Sequence, residues 1–544
     1  YLGSEVSMGA HETLALLPLI VLSGTAPALL MAIALYRRHG LVFGITLLGF
    51  AATVAAAVVI TVIAAPVGSV AAATAPIVLP QQVGALLRID NYALFFTGLL
   101  AGAGFFITLL SYGYWERRGG AREEYYLLLM LGTAGGVVLA ASSHFASLFL
   151  GLELMSVAIF ALAAYDRANR LGLEAGIKYL VLAGVSSALI LFGIALIYTE
   201  LGTMQLAEVV VRTVGKNPQP VFMTGAAMVL AGVGFKLALF PFHLWAPDVF
   251  EGAPAPVTAF LATVSKGAVF AVLVRYFFPL QALENLPFLP GLVFLAIASM
   301  FAGNLLALRQ LKLKRLLAYS SIAHMGYLLI PLIARTSGGI QVIIFYLTTY
   351  FITTLGAFGV IAMLSRRERD FDRSDDYRGL AWRHPWLAAV LTGCMMSLAG
   401  LPVTAGFMGK FFIVLAGVGA ATGIIEPAVM GPTLWTLVIV LAINSGLSLY
   451  YYLRVARELY RRPDAAPLAP APALSWAGGI ALAALALLLL WLGVYPSPLL
   501  RVIETTVQVF TPAPVNAGGG QSPRQSFLIP EAFPSYWRLI QRNK

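Results

Sequence analysis

Five ionisable side chains stand in stretches that otherwise hold almost only apolar residues. They are Glu153 in LFLGLELMSVAIF, Lys236 in GVGFKLALF, Lys266 in FLATVSKGAVFAVL, His324 in AYSSIAHMGYLLI and Lys410 in FMGKFFI. A charge at the centre of a bilayer costs about 2.5 to 3.5 kcal/mol on insertion scales, so each of these groups needs a partner or a function. Desolvation drives amines and carboxylates toward their neutral forms, and imidazole titrates near neutrality unperturbed, so together they suit proton exchange. The most economical counter-charge for Glu153 is an intramembrane lysine on another helix. The bland readings are a structural ion pair for Glu153 or Lys266 and a hydrogen-bonded core histidine for His324. Two further cations, Lys178 and Arg275, lie near the ends of their apolar runs and can extend their heads to the interface.

Two of the lysines sit beside helix breakers. Lys236 precedes Pro241 by five residues, and Lys410 follows Pro402 by eight. Proline removes a helical hydrogen bond, and broken helices at membrane depth are tolerated where they line a polar cavity. The spacing repeats: 83 residues separate Glu153 from Lys236, and 86 separate His324 from Lys410. Both intervals begin in mid-span and end at a lysine by a break two spans later. Five spans separate the two copies, so they have opposite orientation, as in the inverted repeats that form midplane ion sites.

The elements that must position these groups are membrane helices. Of 544 residues, 60% are hydrophobic and 11% charged, against about 25% charged in an ordinary soluble domain. Apolar runs of about 20 residues, each long enough to cross a bilayer, recur along the chain. They read as fourteen spans, at approximately 14–35, 41–65, 89–112, 125–143, 145–165, 176–200, 221–245, 256–277, 288–308, 316–335, 340–364, 386–418, 430–456 and 474–496. The fold class expected is an all-α polytopic membrane protein. Its parts are 1–88 (two spans and an outer segment), 89–124 (span 3 and its loop), 125–277 and 288–456 (the two repeats), 474–496 (span 14) and an extramembrane tail at 497–544. The runs are continuously apolar rather than alternating, a pattern that does not favour an outer-membrane barrel.

The net charge of +11 is mostly a topology signal. Loops after odd-numbered spans hold 21 Lys or Arg, counting Arg454 at the end of span 13, whereas those after even-numbered spans hold four: Arg88, Arg212, Lys216 and Arg335. By the positive-inside rule the first set is cytoplasmic and both termini face outward. Nucleic-acid binding has no support, and residues 1–13, with acids and no Lys or Arg, do not read as a secretory signal. The one cysteine, Cys394, allows no disulfide and no thiolate-ligated cluster on this chain. No cofactor is expected here, and any redox chemistry belongs to partner chains.

The stretches GLELMSVAIFAL (151–162), EAGIKYLVLAGVSSALILFGIALIY (174–198), FKLALFPFHLWAPDVFEGAPAPVTAFLATVSK (235–266), LKRLLAYSSIAHMGY (313–327) and GLPVTAGFMGKFF (400–412) carry a resemblance. They resemble the antiporter-like subunits of respiratory complex I, NADH:quinone oxidoreductase, over roughly residues 90–495. Hydrogenase relatives and Mrp-type cation/proton antiporters belong to the same superfamily. The resemblance implies fourteen helices with two inverted five-helix repeats, spans 4–8 and 9–13, and broken helices 7 and 12. It implies Glu153 and Lys236 as the pair of the first half, Lys178 as an accessory lysine, Lys266 as the bridge, and Lys410 as the terminal lysine of the second half. His324 matches a position that is often His or Lys. A lysine rather than a glutamate on the second broken helix, and a short tail without a long transverse helix, fit subunit N of that family better than M or L.

The function so implied is that of a proton-translocating subunit in a prokaryotic plasma membrane. Flavin, iron-sulfur clusters and quinone would sit on partner subunits, and other antiporter-like and small membrane subunits would flank this one. The alternative is a subunit of a Mrp-type Na⁺/H⁺ antiporter, for which no quinone-reducing partner would copurify. A third class is a membrane subunit that positions neighbours without conducting.

Overall fold

A computed structural model of the chain describes residues 9–66, 76–213, 219–280, 289–422, 431–462 and 475–510. Among these residues, fourteen helices are long and apolar enough to cross a membrane, matching the sequence expectation in number. They are Leu17–Leu35, His39–Ile63, Asn91–Arg118, Glu123–Ala141, Phe145–Ala163, Arg170–Leu201, Pro220–Leu237, Ala255–Phe278, Leu289–Leu308, Leu313–Ile333, Gly338–Leu364, Ala405–Thr422, Gly431–Tyr460 and Trp476–Val494, taken below as spans 1 to 14. Helix starts follow local chemistry. Asp90, Asn169, Thr336 and Ser475 each accept a hydrogen bond from a backbone N–H in the first turn of the span that follows, satisfying a donor the helix cannot. Gly202 ends span 6 in the left-handed conformation, at φ 64°, where a Cβ would be strained.

Burial separates centre from rim. The most apolar window of span 8 is 100% buried inside the protein, and those of spans 10 and 11 are 94% and 89%, whereas spans 1 and 2 bury only 33%. Spans 8, 10 and 11 therefore form the axis of the bundle, and the rim spans turn most of their surface outward. Small residues set the closest approaches. A Cβ on Gly135 of span 4 would meet Met155 N at 2.6 Å, and one on Gly303 of span 9 would meet Ala323 N at the same distance. Such contacts let neighbouring membrane helices pack backbone to backbone.

Spans 7 and 12, beside Pro241 and Pro402, are both discontinuous, whereas spans 1 and 10 continue through Pro27 and Pro331. Span 7 stops at Leu237, turns through Ala238 at φ 58°, and resumes as a two-turn helix, Trp245–Gly252 (7b). Span 12 has a first half, Pro385–Ala399 (12a), then a turn with Gly400 at φ 82° and Val403 at φ 73°, then Ala405–Thr422 (12b). A third irregularity has no proline. Leu261–Ser265 of span 8 is a π-helical turn ending directly before Lys266, the kind of local widening that often accompanies functional sites.

Two stretches outside the spans have structure that the sequence left open, and one expectation is overturned. Among the described residues of the outer segment, β1 (Ala64–Pro66) pairs in parallel with β2 (Ile77–Leu79), and β3 (Gln81–Val83) pairs antiparallel with β4 (Leu87–Ile89). The stretch after span 14 begins with a helix, Ser497–Val507, and Phe510 beyond it packs edge-on against Tyr92 and Phe278. Residues 511–544 of the expected tail lie outside the described residues. Arg275 does not extend to an interface. It is buried and grips Asp90 through two nitrogens at 3.0 and 2.8 Å, over the ring of Tyr92, because a buried carboxylate at the start of span 3 offers a partner that bulk water would otherwise supply.

Candidate functional site

Span 5 carries Glu153 on a face whose neighbours Leu150, Leu154 and Val157 are exposed. The carboxylate is half-buried and accepts a hydrogen bond from Ser187 of span 6. One turn further along the same span, Ser156 accepts a 2.7 Å hydrogen bond from the Lys236 amine. Glu153 and Lys236 thus hydrogen-bond to different hydroxyl groups, Ser187 and Ser156. Lys236 occupies the last turn before the break in span 7, buried beneath the ring of Tyr179 at 5.8 Å. The break serves this position: the indole of Trp245, at the start of 7b, donates to the freed carbonyl of Phe235 at 2.9 Å.

Lys266 follows the π-turn in span 8. Its amine donates to Ser321 of span 10 at 2.6 Å, a hydroxyl that also accepts from Tyr350 of span 11 at 2.8 Å. The ring of Phe250 from 7b lies 5.8 Å away. His324, one turn after Ser321, has a hydroxyl at each ring nitrogen: Tyr346 at 2.6 Å from Nδ1 and Tyr452 at 3.2 Å from Nε2. Tyr452 in turn meets Ser320. Lys410, in the second turn of 12b, donates to the carbonyl of Ala399 at 2.9 Å, the last residue of 12a, and lies 5.4 Å from the centre of the Tyr327 ring. The Tyr327 hydroxyl accepts from Asn304, which also contacts Asn444 and Tyr451.

Lys236, Lys266, His324 and Lys410 are therefore all buried, and each is met by a hydroxyl, ring or carbonyl from another helix. The sequence reading missed most of those partners. Ser320, Ser321, His324 and Tyr327 share one face of span 10 at helical spacing, so Ser321 and Tyr327 had a signal in AYSSIAHMGY. Tyr346 and Tyr452 had none, since only the packing of spans 11 and 13 brings them to the imidazole. Lys178 lies apart from this row. It is partly exposed and pairs with Glu174 at 2.6 Å and Asp248 of 7b at 2.7 Å. Pro241 and Pro402 both lie in the breaks between half-helices.

On the face carrying the basic loops, ion pairs join the parts. Asp370, in the loop after span 11, accepts from Lys314 at 2.7 Å, Arg118 at 2.7 Å and the Tyr114 hydroxyl at 2.7 Å. Burial pushes the Asp370 carboxyl up, but Lys314 and then Arg118 outweigh it and hold it below the usual carboxylate range.

Residues 142–434 match the family described as NADH:quinone oxidoreductase/Mrp antiporter, TM. NADH-quinone oxidoreductase subunit N of Methylococcus capsulatus is 45% identical over 505 residues, covering 92% of this chain and 96% of the relative. Among solved structures, a chain of respiratory complex I from Thermus thermophilus is similar at 30% identity with a TM-score of 0.71, covering 89% of this chain and 98% of that one. A chain of the Mrp complex from Dietzia sp., at 19% identity and a TM-score of 0.73 over 92% and 97% of the two chains, shares the fold. With a family model over more than half its length and a near-full-length relative at that identity, the chain belongs to the NADH-quinone oxidoreductase subunit N family.

Proposed function

We propose that the chain is a proton-translocating membrane subunit of a complex I type quinone oxidoreductase, in which redox chemistry on partner subunits drives protons outward through the row Glu153, Lys236, Lys266, His324 and Lys410. The observation that carries this reading is the joint between the halves. Lys266 from the first half donates to Ser321, which lies one turn from His324 of the second half on span 10, and Tyr350, which also donates to Ser321, has its ring 5.4 Å from the imidazole. The two ring nitrogens of His324 face hydroxyls from different spans, so a proton taken at one nitrogen can leave from the other.

The coupling is electrostatic. In a site of low dielectric, ionising or neutralising Glu153 changes the proton affinity of Lys236, and Lys236 in turn biases Lys266. Lys178 acts in this scheme as an accessory cation at the cytoplasmic face. Lys410, at the gap between 12a and 12b, is the last group before the opposite surface. The basic loops mark the cytoplasmic side, both termini face outward, and the membrane is the prokaryotic plasma membrane. Neighbouring subunits are other antiporter-like and small membrane chains, and flavin, iron-sulfur clusters and quinone reside on partners.

The test is Lys236→Ala in assembled complex within membrane vesicles, read as protons moved per quinone reduced and as translocation rate. A loss of at least about tenfold in translocation rate is expected, the scale of one proton-transfer group. Unchanged rate and stoichiometry would sink the reading.

A further inference from the structure

Helix 7b lies beside two of the row's lysines and is fastened at its other side by a cluster of charges centred on Arg315, which no step above uses. Trp245 on it closes the end of span 7 beside Lys236 and packs on Tyr179, the ring over that amine, with centroids 5.1 Å apart. Phe250 on it lies under Lys266. Asp248 and Glu251, one turn apart on the same helix, are both bridged by Arg315 of span 10, at 2.8 Å each. Each carboxylate has a second cation: Lys178 of span 6 for Asp248 and Lys312 for Glu251. The C-terminal end of 7b is held as well, since the buried amine of Lys314 donates to Ala253 O at 2.6 Å.

Of these cations, Arg315 alone reaches both carboxylates. It lies on the helix that, six residues later, supplies Ser321 to Lys266 and then His324. Both contacts come from one terminal nitrogen of the guanidinium, while its Nε reaches Gln310 at 3.3 Å, so the planar group is held on three acceptors in an orientation that a point charge does not fix. Fixed placement of this kind matters where groups must meet within a fraction of an ångström.

We infer that Arg315 is a positioning residue for proton transfer: through Asp248 and Glu251 it fixes helix 7b of the first half against span 10 of the second, and so sets Trp245 and Phe250 against Lys236 and Lys266. Arg315 itself carries no proton. The inference rests on the relay reading of the preceding subsection. Its geometry also separates it from a fold-supporting role, because Asp248 and Glu251 each retain a lysine when Arg315 is lost, so the clamp loosens without leaving either carboxylate unpaired.

The experiment uses the assembled complex in membrane vesicles, with variants Arg315→Gln, Arg315→Lys and the double variant Asp248→Asn/Glu251→Gln. Assembly, quinone reduction and proton translocation are measured on each, beside Lys266→Ala. Arg315→Gln is expected to lower protons moved per quinone reduced, with translocation down roughly tenfold, as small misplacements of reacting groups do. Arg315→Lys should recover part of the ratio, and the double carboxylate variant should reproduce the loss. If Arg315→Gln keeps the normal ratio while Lys266→Ala loses it, or if quinone reduction, translocation and assembly fall together with no recovery in Arg315→Lys, the positioning role is wrong and the relay stands. If Lys266→Ala also keeps the normal ratio, the relay and the positioning role fall together.

Discussion

At the residue scale, the five titratable groups were legible because apolar surroundings make a buried charge conspicuous, and because two of them sit near prolines. Their partners were not. A serine or tyrosine in a membrane helix is unremarkable in sequence, and only packing turns Ser156, Ser321, Tyr346 and Tyr452 into contacts of Lys236, Lys266 and His324. These contacts give a specific expectation. Ser321→Ala removes the acceptor of both the Lys266 amine and the Tyr350 hydroxyl, leaving buried donors unmet at about 1 to 3 kcal/mol each. Proton translocation in Ser321→Ala complex should drop about tenfold or more; a rate equal to wild type would remove Ser321 from the row. Arg275 tests a separate role. Deleting it removes the two close hydrogen bonds to the buried Asp90 carboxylate and leaves Arg88 at 3.4 Å as its cation, so Arg275→Ala should destabilise the subunit by about 1 to 3 kcal/mol, seen as a lower melting temperature of purified complex.

At the element scale, the number of spans followed from hydropathy and the breaks in spans 7 and 12 from their prolines, yet the way the halves meet and the irregular turn in span 8 did not. Span 12 reads as one apolar run from 386 to 418, but the chain departs from helical geometry between Ala399 and Ala405. Proline marks the region without saying how the two halves meet. The meeting depends on Gly406, where a Cβ would lie 2.0 Å from Ser397 O. Gly406→Ala must therefore push 12a and 12b apart beside Lys410, at an overpacking cost of about 1 to 3 kcal/mol. Reduced thermal stability and reduced translocation should appear together in that variant. The π-turn before Lys266 has no sequence signature at all, because FLATVSK is compatible with an ordinary helix. It arises where span 8 lies wholly buried at the axis and the neighbouring helices dictate its path. The short pairings of β1 with β2 and β3 with β4 were hidden for the opposite reason, being too brief for alternation to show.

At the scale of the whole molecule, charge sorting placed the basic loops on one face, and the structure adds that those loops bind each other. Asp370 gathers Lys314, Arg118 and Tyr114 from spans 10 and 3. Its carboxyl is held below the ordinary range, so the stability it supplies is present above the unfolded carboxylate pKa and is lost as pH falls through the lower folded value. Melting temperature should stay nearly flat from neutral pH down to about 4 for this contribution and decline only below it. Asp370→Asn should lose it at every pH. The central claim, however, concerns the passage between halves, and Lys266 is the first-half group of the row that hydrogen-bonds to the second. The direct measurement is the number of protons moved per quinone reduced by assembled complex carrying Lys266→Ala, in sealed vesicles. The account predicts a lower ratio with assembly intact; the same ratio as wild type would contradict it.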